Sequence, residues 1–443
     1  MTSFATMLDI VSSYIWGWPL IILLFGTHIF LTIRLSFIQR YILYAIKLSF
    51  KKENTDKGDI SHFGALATAL AATIGTGNIV GVSTAIALGG PGAVLWMWLT
   101  GIFGIATKYS EALLAVKYRV KAEDGTYSGG PMYVLEKGLN LRWLGMLFAI
   151  FTAIAAFGIG NMVQANSIAE MTENNFGIPK YLTGTVLAIL TFVVIIGGVR
   201  SIARICEGLV PFMAIFYVMG CIIILILNYD KIPDTFFVIV RGAFSPLAAT
   251  GGFAGTLLKD TIRYGIARGL FSNESGLGSA PIVAAAAKTE EPVKQALVSS
   301  TGTFWDTVVI CLITGFTVLS SGDWLSGKSG EELTTSAFSH IQVIGPVVLN
   351  VGLLTFVFST IIGWSYYGEK AAEYLFGSKI KLFYRLLWVI FVFVGSILSL
   401  PLVWTFADIA NGLMAVPNLI SLLLLNRYIV KETADYFNRI KKE

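Results

Sequence analysis

The 443-residue sequence has few charged residues, cysteines and histidines. Charged residues make up 13% of the chain, whereas a soluble domain carries roughly 25%. Of the three cysteines and three histidines, none has a second ligand at the spacing of a metal site. The motifs HExxH and GxSxG are also absent. The sequence therefore lacks the catalytic motifs of a metalloprotease or of a serine-type intramembrane enzyme.

Apolar residues dominate what is present. They make up 55% of the chain, and the mean hydropathy is +0.73. The hydrocarbon core of a bilayer is about 30 Å thick, so a spanning helix needs about 20 apolar residues. We therefore predict an all-α polytopic membrane protein with about eleven transmembrane helices. The apolar stretches are 12–34, 63–88, 91–116, 144–169, 181–199, 207–228, 257–287, 296–320, 344–367, 384–402 and 403–426.

The distribution of basic residues predicts the orientation in the membrane. Most of the 32 lysines and arginines lie in connections that follow odd-numbered spans, or in the C-terminal tail. The positive-inside rule then places the N-terminus outside a cell membrane and the C-terminus in the cytoplasm. The net charge of +5 is explained by these loops and implies no nucleic-acid partner. The basic, amphipathic region 34–60 is interpreted as an interfacial helix.

Two of the predicted spans contain their own helix breakers. They read "AATIGTGNIVGV" (71–82) and "GLFSNESGLGSAP" (269–281). If the first span is set aside, each group of five spans begins with a broken one, a placement typical of transporters built from inverted repeats. The predicted organisation is a first helix with a basic connection (1–61), two five-helix repeats (62–230 and 231–426) and a cytoplasmic tail (427–443).

An opened helix offers binding groups on both sides of the break. The free N–H groups of a half-helix favour a carboxylate, and the freed carbonyl oxygens suit a hard cation or an ammonium group. Together they match a zwitterion and a cation. The competing interpretation of Gly77 to Gly81 is close helix packing through small residues, but two breaks at equivalent positions favour the binding interpretation.

Three blocks of sequence resemble a known family. They are "GTGNIVGVSTAIALGGPGAVLWMW" (75–98), "YSGGPMYVLEKGL" (127–139) and "GLFSNESGLGSAPIVAAAAKTEEPVKQALVSSTGTFWDT" (269–307). They resemble the alanine or glycine:cation symporters, and the likeness extends over nearly the whole chain. The resemblance implies the leucine-transporter architecture with one extra first helix. It also implies sodium-coupled uptake of small neutral amino acids, without enzymatic activity, organic cofactor or obligate protein partner.

The resemblance further implies a substrate site at the two breaks. The residues that match the first break are Gly75, Thr76, Gly77 and Asn78. The substrate carboxylate is expected near the N–H groups of the first three. The side-chain oxygen of Asn78 is expected on the substrate or on a neighbouring cation. The residues expected to line the pocket from the second break are Phe271, Ser272, Asn273 and Ser275.

A sodium site is implied by the adjacent hydroxyls Ser359 and Thr360 in the ninth span. Its other ligands would be the backbone carbonyls of Ala71, Ile74 and Phe356. Neutral oxygens of this kind suit a hard cation. The alternative is that both hydroxyls merely bond to carbonyls of their own helix.

Two further groups complete the expected pocket. Trp364 lies one turn beyond Thr360 on the same face and would fill the space that a large substrate side chain needs. The alternative is a lipid-interface anchor. Gln164 and Asn161, three apart in the fourth span, are candidates for binding the substrate ammonium, and interhelical polar contacts are the alternative.

Two acids within the predicted spans leave the coupling ion open. Glu274 lies in the second break, and Asp306 lies in the eighth span. Ionisable groups in spans are costly and usually functional. Either could carry a proton in a proton-coupled transporter or exchanger, and Asp306 could instead hold a cation, gate the pathway or pair with Arg263 or Arg268. A channel or a membrane-embedded transferase fits less well, because the acids are isolated and two spans are broken.

Overall fold

The computed structural model describes residues 2–51, 53, 55–244, 258–328, 330–398, 401–440 and 442. Most of them are helical, as a chain in lipid requires, since a helix satisfies its own backbone groups. The α-helices in chain order are α1 (Thr2–Ile15), α2 (Trp18–Arg34), α3 (Ile42–Ser49), α4 (His62–Thr73), α5 (Val82–Gly89), α6 (Ala93–Lys117), α7 (Pro131–Tyr133), α8 (Arg142–Ala155), α9 (Val163–Phe176), α10 (Lys180–Ile195), α11 (Gly198–Leu227), α12 (Ile232–Phe244), α13 (Leu258–Asn273), α14 (Pro281–Ala284), α15 (Pro292–Thr303), α16 (Leu312–Ser320), α17 (Gly330–Ser339), α18 (Ile344–Phe376), α19 (Ile380–Ile397), α20 (Pro401–Leu424) and α21 (Asn426–Ile440).

Other elements are short. The π-helical turns are Gly77–Gly81, Val134–Gly138, Ala156–Met162 and Phe304–Cys311. The 3-10 turns are Ile38–Tyr41, Tyr229–Lys231 and Asp323–Ser326. The strands β1 (Val120–Lys121) and β2 (Tyr127–Ser128) pair antiparallel, with Val120 opposite Ser128. Two of the π-helical turns, Ala156–Met162 and Phe304–Cys311, lie inside long apolar helices, where such turns often mark functional sites.

The predicted spans fall on helices or on helices interrupted at a break. Within the described residues, seven helical segments are long and apolar enough to cross a membrane, and the bent pair His62–Thr73 and Gly77–Gly89 makes an eighth. The count of eleven spans and the division into repeats stay predictions. Residue 257 of the seventh predicted span and residues 399 and 400 of the tenth lie outside the described residues.

The first break separates α4 from α5. Helix α4 begins at its N-cap Ser61, whose Oγ accepts the Gly64 N–H at 2.8 Å. It ends at Thr73, because Ile74 is extended, and the chain resumes as a π-helical turn at an angle of 58°. A side chain at Gly75 could not fit there, since its Cβ would lie 2.7 Å from Thr360 Oγ1.

The second break follows α13. Glu274, Gly276 and Gly278 have φ angles of +55°, +88° and +87°, a region that glycine adopts freely and other residues rarely do. Two of the three glycines in the stretch 269–281 therefore serve to turn the chain before α14 resumes at Pro281. Both predicted breaks are present.

The broken helices lie in the interior of the bundle. Helix α6 packs against α13 and α15, and α18 packs against α4 and α8. The residues of α4 are buried on nearly every side, whereas α10 and α19 expose large apolar side chains such as Ile189 and Ile390. Those exposed side chains suit a lipid-facing surface, and the interior position of α4 suits a binding site.

The basic region and the tail both contain helices. Helix α3 lies within region 34–60, where an interfacial helix is predicted, and it exposes Leu43. Helix α21 covers most of the predicted tail and packs on the body of the molecule. There Thr433 bonds to Tyr109 at 2.8 Å, and Tyr436 approaches Tyr44 at 3.4 Å between hydroxyl oxygens.

Candidate functional site

Five oxygen atoms meet where α18 crosses the first break. Ser359 Oγ lies 3.1 Å from the Ala71 carbonyl oxygen and 2.8 Å from that of Phe356. Thr360 Oγ1 lies 3.4 Å from the Ile74 carbonyl oxygen and 2.9 Å from that of Phe356. All five residues expected at a sodium site are therefore together, in a region that is buried throughout.

The donor set of this cluster suits sodium. It consists of three carbonyl and two hydroxyl oxygens and carries no formal charge. The two hydroxyls do bond to the carbonyl of their own helix at Phe356, as the alternative interpretation states, but they also reach Ala71 on α4 and Ile74 directly after it. The contact between the helices is close, because a Cβ at Gly363 would lie 2.7 Å from the Ala72 nitrogen. A cation here would join α4 to α18.

A small cavity adjoins this cluster at the break. Its lining residues are Ala72, Thr73, Gly75, Thr76, Gly77, Ile159, Gln164, Phe271, Glu274, Thr360, Trp364 and Asn411. Six of the ten residues expected at the substrate site are among them. The other four, which lie beside the cavity and do not line it, are Asn78, Ser272, Asn273 and Ser275.

Asn78 and Asp306 form a hydrogen-bonded group behind the first break. Asn78 Oδ1 accepts the Gly75 N–H at 2.9 Å, and Asn78 Nδ2 donates to Asp306 Oδ2 at 2.9 Å. Ser272 Oγ–H and Thr307 Oγ1–H donate to Asp306 Oδ1 at 2.9 and 2.7 Å. Asn78 thus uses its side-chain oxygen to hold the break open. Asp306 bonds to neutral donors and to neither of the two arginines named as candidates.

The second break has its own polar support. Asn273 Oδ1 accepts the Ser275 N–H at 2.9 Å, and Asn273 Nδ2 donates to Thr307 Oγ1 at 3.1 Å. Ser275 Oγ lies 3.1 Å from Thr303 Oγ1. Asn273 and Ser275 therefore tie the break to helix α15 and the π-helical turn that follows it.

Glu111 on α6 is a residue that the sequence interpretation missed. Its Oε1 accepts the N–H groups of Gly276 and Gly278 at 3.0 and 3.1 Å and an Asn418 Nδ2–H at 2.6 Å. These are backbone donors that the second break frees, and a buried donor without a partner is costly. Glu111 is an acid inside the predicted span 91–116, and this position is the sequence feature that could have identified it.

Lys108 is a second missed residue. The residue is 4% exposed, and its ammonium has no hydrogen-bond partner among the described residues. It lies within electrostatic reach of the carboxylates of Glu111, Glu274 and Asp306. One lysine therefore stands among three buried acids in the centre of the molecule.

Trp364 forms one wall of the cavity. Its indole Nε1–H donates to Glu274 Oε1 at 3.1 Å. The side chain is 1% exposed, so it is not an interface anchor. Gln164 also lines the cavity, and its Oε1 has no partner within the described part of the chain. Asn161 instead donates to the Trp388 carbonyl at 2.9 Å, an interhelical contact.

One end of the molecule is open above the cavity. A vestibule of about 600 Å³ lies between α5, α9, α17 and α18, and it shares Thr76, Gly77 and Phe271 with the small cavity. Arg268 lines this vestibule, stands over the Phe271 ring at 5.9 Å and lies within electrostatic reach of Asp408. Phe271 therefore lines both the vestibule and the small cavity.

The opposite end is closed by backbone pairing around Arg119. The chain before α4 and the chain after α14 form a parallel bridge, Ile60 with Ala287. The Arg119 guanidinium donates to four carbonyls of these two segments, at distances of 2.6 to 3.0 Å. They are Lys57, Ala285, Ala287 and Thr289. Burial lowers the pKa of Arg119, while Tyr127 and Asp59 raise it, and an arginine remains charged under either influence.

Comparisons with known proteins agree with this architecture. The model of the sodium:alanine symporter family matches residues 1–443. The chain is 52% identical to the sodium/alanine symporter AgcS of Methanococcus maripaludis, over 99% of this chain and 98% of that protein. It is 51% identical to an uncharacterized transporter of Haemophilus influenzae, over 98% of this chain and 97% of that protein.

A solved structure shows the same fold. The structure of MhsT in complex with L-phenylalanine superposes with a TM-score of 0.58 at 16% identity, covering 83% of this chain and 89% of that one. At this identity the likeness concerns the fold alone, and it confirms the predicted all-α transporter architecture. The family resemblance is also confirmed, because the family model and AgcS both match the chain. The matching family is one of transporters and not of enzymes. The chain, a multi-pass membrane protein, therefore belongs to the sodium:alanine symporter family.

Proposed function

We propose that this protein is a sodium-coupled symporter that imports small neutral amino acids, with alanine and glycine as its substrates. The observation that carries the proposal is the cluster of five neutral oxygens that adjoins a small polar cavity at a helix break. Sodium and the amino acid are both cargo, and the protein needs no organic cofactor for this activity.

The main-chain end of the substrate belongs at the break. The N–H groups of Thr76 and Gly77 start the second half of the helix, where the dipole favours a carboxylate. The Gly75 N–H is already bonded to Asn78, so it shapes the site. Gln164 Oε1 is a buried acceptor facing the same cavity, which suits an ammonium donor. Together these groups would bind both the carboxylate and the ammonium of a zwitterionic amino acid.

The substrate side chain then points toward Trp364 and Phe271. Both residues line the cavity, and little space remains beyond the indole. A pocket distinguishes substrates by about 1–3 kcal/mol for each methylene that it accepts or excludes. Alanine and glycine fit this wall, and leucine would overlap with the indole.

Transport would proceed by alternating access around this site. The open vestibule and the closed end at Arg119 correspond to an outward-facing state, if the N-terminus lies outside and the C-terminus lies in the cytoplasm. The basic residues support that orientation in a cell membrane. A cation between α4 and α18 would hold the helices as they stand here, which couples sodium binding to this state.

The test is uptake by the purified protein in liposomes. Labelled alanine should accumulate above its outside concentration when sodium is directed inward, and it should not do so with potassium at equal ionic strength. Accumulation driven equally well by a proton gradient without sodium would overturn the sodium proposal. That result would support the alternative of proton coupling through Glu274 or Asp306, both of which are buried.

A further inference from the structure

Trp364 is held in place from three directions. A Cβ at Gly160 would lie 2.3 Å from Trp364 Cβ, so the π-helical turn Ala156–Met162 packs directly against the tryptophan. The Tyr367 ring meets the indole edge-on, with 5.4 Å between ring centroids. The third contact is the hydrogen bond from the indole Nε1–H to Glu274 Oε1 at 3.1 Å. Packing limits the first side-chain torsion, and the hydrogen bond fixes the tip of the ring.

Glu274 is itself fixed by the second break. Its backbone N–H donates to the Leu270 carbonyl at 3.0 Å, and its own carbonyl accepts the Leu277 N–H at 3.2 Å. Ser279 Oγ–H donates to Oε2 of the same carboxylate, which leaves Oε1 directed at the indole. Glu274 also lines the cavity. The side chain therefore connects the backbone of the break to the wall that faces the substrate.

We propose that Glu274 is a positioning residue that holds the Trp364 indole against the substrate side chain and so sets the upper size limit of the transported amino acid. The inference rests on the proposed function, because it needs an alanine-sized pocket with Trp364 as its wall. The role requires only an acceptor oxygen at Oε1. It requires no charge, and this distinguishes it from a proton-carrying or cation-binding role for the same carboxylate.

Three single variants separate the acceptor from the charge. Glu274→Gln keeps an acceptor oxygen for the indole and removes the charge. Glu274→Met keeps the length of the side chain and removes the acceptor. Trp364→Phe keeps an aromatic ring and removes the N–H donor. The double variant Glu274→Met, Trp364→Phe removes both partners of the bond at once.

The measurement is competition by glycine, alanine, serine, valine and leucine against labelled alanine in liposomes with inward sodium. Glu274→Gln should keep the wild-type size limit, whatever its uptake rate. Glu274→Met and Trp364→Phe should each improve valine competition relative to alanine by about tenfold, as expected for one buried hydrogen bond. The double variant should improve it no further, because the same bond is already lost.

Several outcomes would overturn the inference. One is a wild-type size limit in Glu274→Met, and another is a relaxed limit in Glu274→Gln, which would assign the effect to charge. Effects of the two single variants that add fully in the double variant would also contradict it. Failure of the proposed function looks different, since wild-type protein would then show no sodium-driven alanine uptake at all.

A spectroscopic readout keeps the test valid if a variant does not transport. Resonance Raman spectra contain a band that reports whether an indole N–H is hydrogen-bonded. Subtracting the spectrum of Trp364→Phe from that of the wild type isolates the band of one tryptophan among the ten. The signal should indicate a hydrogen-bonded indole in the wild type and in Glu274→Gln. It should indicate a free indole in Glu274→Met, and a bonded indole in that variant would overturn the inference.

Discussion

At the scale of single residues, the contacts of the Ser359 and Thr360 hydroxyls distinguish a cation site from ordinary hydrogen bonding within their own helix. Each bonds to its own helix, as hydroxyls in membrane helices commonly do, yet each also reaches a carbonyl at the C-terminal end of α4, that of Ala71 or of Ile74 just beyond it. A hydroxyl that served its own helix alone would not have to point at the break. The contact across the two helices is the feature that favours a cation site.

Removal of the Thr360 hydroxyl should therefore weaken sodium binding. We expect Thr360→Ala to raise the sodium concentration for half-maximal alanine uptake by about tenfold, the effect of losing one buried polar contact. The measurement is alanine uptake in liposomes over a series of sodium concentrations at constant ionic strength.

Two controls make this test specific. Thr360→Ser retains the hydroxyl and should behave like wild type. Thr355→Ala removes a hydroxyl of the same helix whose bonds, among the residues that the structure describes, stay within α18 at the carbonyls of Val351 and Gly352, and it should leave sodium dependence unchanged. An equal change in the Thr355 and Thr360 variants would show that the effect comes from the helix and not from a ligand.

The donors at the first break make a second prediction at the same scale. Alaninamide and ethylamine lack the carboxylate that the N–H groups of Thr76 and Gly77 are proposed to bind. Loss of a charged acceptor opposite buried donors costs on the order of 2–3 kcal/mol, so each should compete about a hundredfold less well than alanine. Competition against labelled alanine measures this directly, and equal competition by either compound would rule out the carboxylate role.

Single residues also show where sequence interpretation reaches its limit. The first break, its glycines and the paired hydroxyls were predictable, because polar and flexible residues stand out inside an apolar stretch. The bond between Glu274 and Trp364 joins residues 90 positions apart, and the bonds of Glu111 to the second break span 165 and 167 positions. No local pattern encodes which of several buried donors an acid meets, so those contacts required the fold.

At the scale of elements, the closed end depends on two chain segments that the broken helices extend. The Asp59 N–H donates to the Ala286 carbonyl at 2.7 Å, and the Lys288 N–H donates to the Ile60 carbonyl at 2.7 Å. A Cβ at Gly58 would lie 2.3 Å from the Ala287 carbonyl oxygen, so the segments approach as closely as backbone can. Separating them would require the four bonds of Arg119 to break.

We therefore expect Arg119→Gln to shift the protein toward the inward-open state. Hydrogen bonds to a charged group contribute about 1.5–3 kcal/mol each, and the closed state alone makes them. A cysteine introduced at Ala69, which lines a second cavity together with Thr73 and Lys108, should react about tenfold faster with an impermeant maleimide from the cytoplasmic side. Inside-out vesicles with sodium present provide the measurement.

The matched control is Arg204→Gln, which removes an exposed arginine that is not among the donors to the four carbonyls. It should leave the labelling rate at the wild-type value. A rate that is the same in the Arg119 and Arg204 variants would mean that the backbone pairing closes this end without help from the guanidinium.

At the scale of the whole molecule, the fold was predicted better than its fine structure. Composition and span length determine that the chain is helical in lipid, and the placement of two breaks indicates the transporter architecture. The π-helical turns at Ala156–Met162 and Phe304–Cys311 were not predicted, because no residue pattern in their sequences was interpreted as a departure from the α-helix. Both turns adjoin the site, so the missed detail concerns how the bundle accommodates a ligand.

The last prediction concerns how the two cargoes act on the whole molecule. The structure has an open vestibule at one end and a closed opposite end, while the oxygens of α4 and α18 stand together. Sodium should favour this state, because it binds the two helices as they are arranged here. Alanine together with sodium should favour closure over the substrate, since the residues shared by vestibule and cavity would then contact it.

A cysteine at Asn174, in the wall of the vestibule, reports both effects. In right-side-out vesicles its reaction with an impermeant maleimide should speed up when sodium replaces potassium at equal ionic strength, and slow down when alanine is added with sodium. Alanine alone, without sodium, should change little. If alanine slows the reaction equally in potassium, the substrate closes the vestibule by itself, and the oxygen cluster between α4 and α18 does not couple sodium to transport.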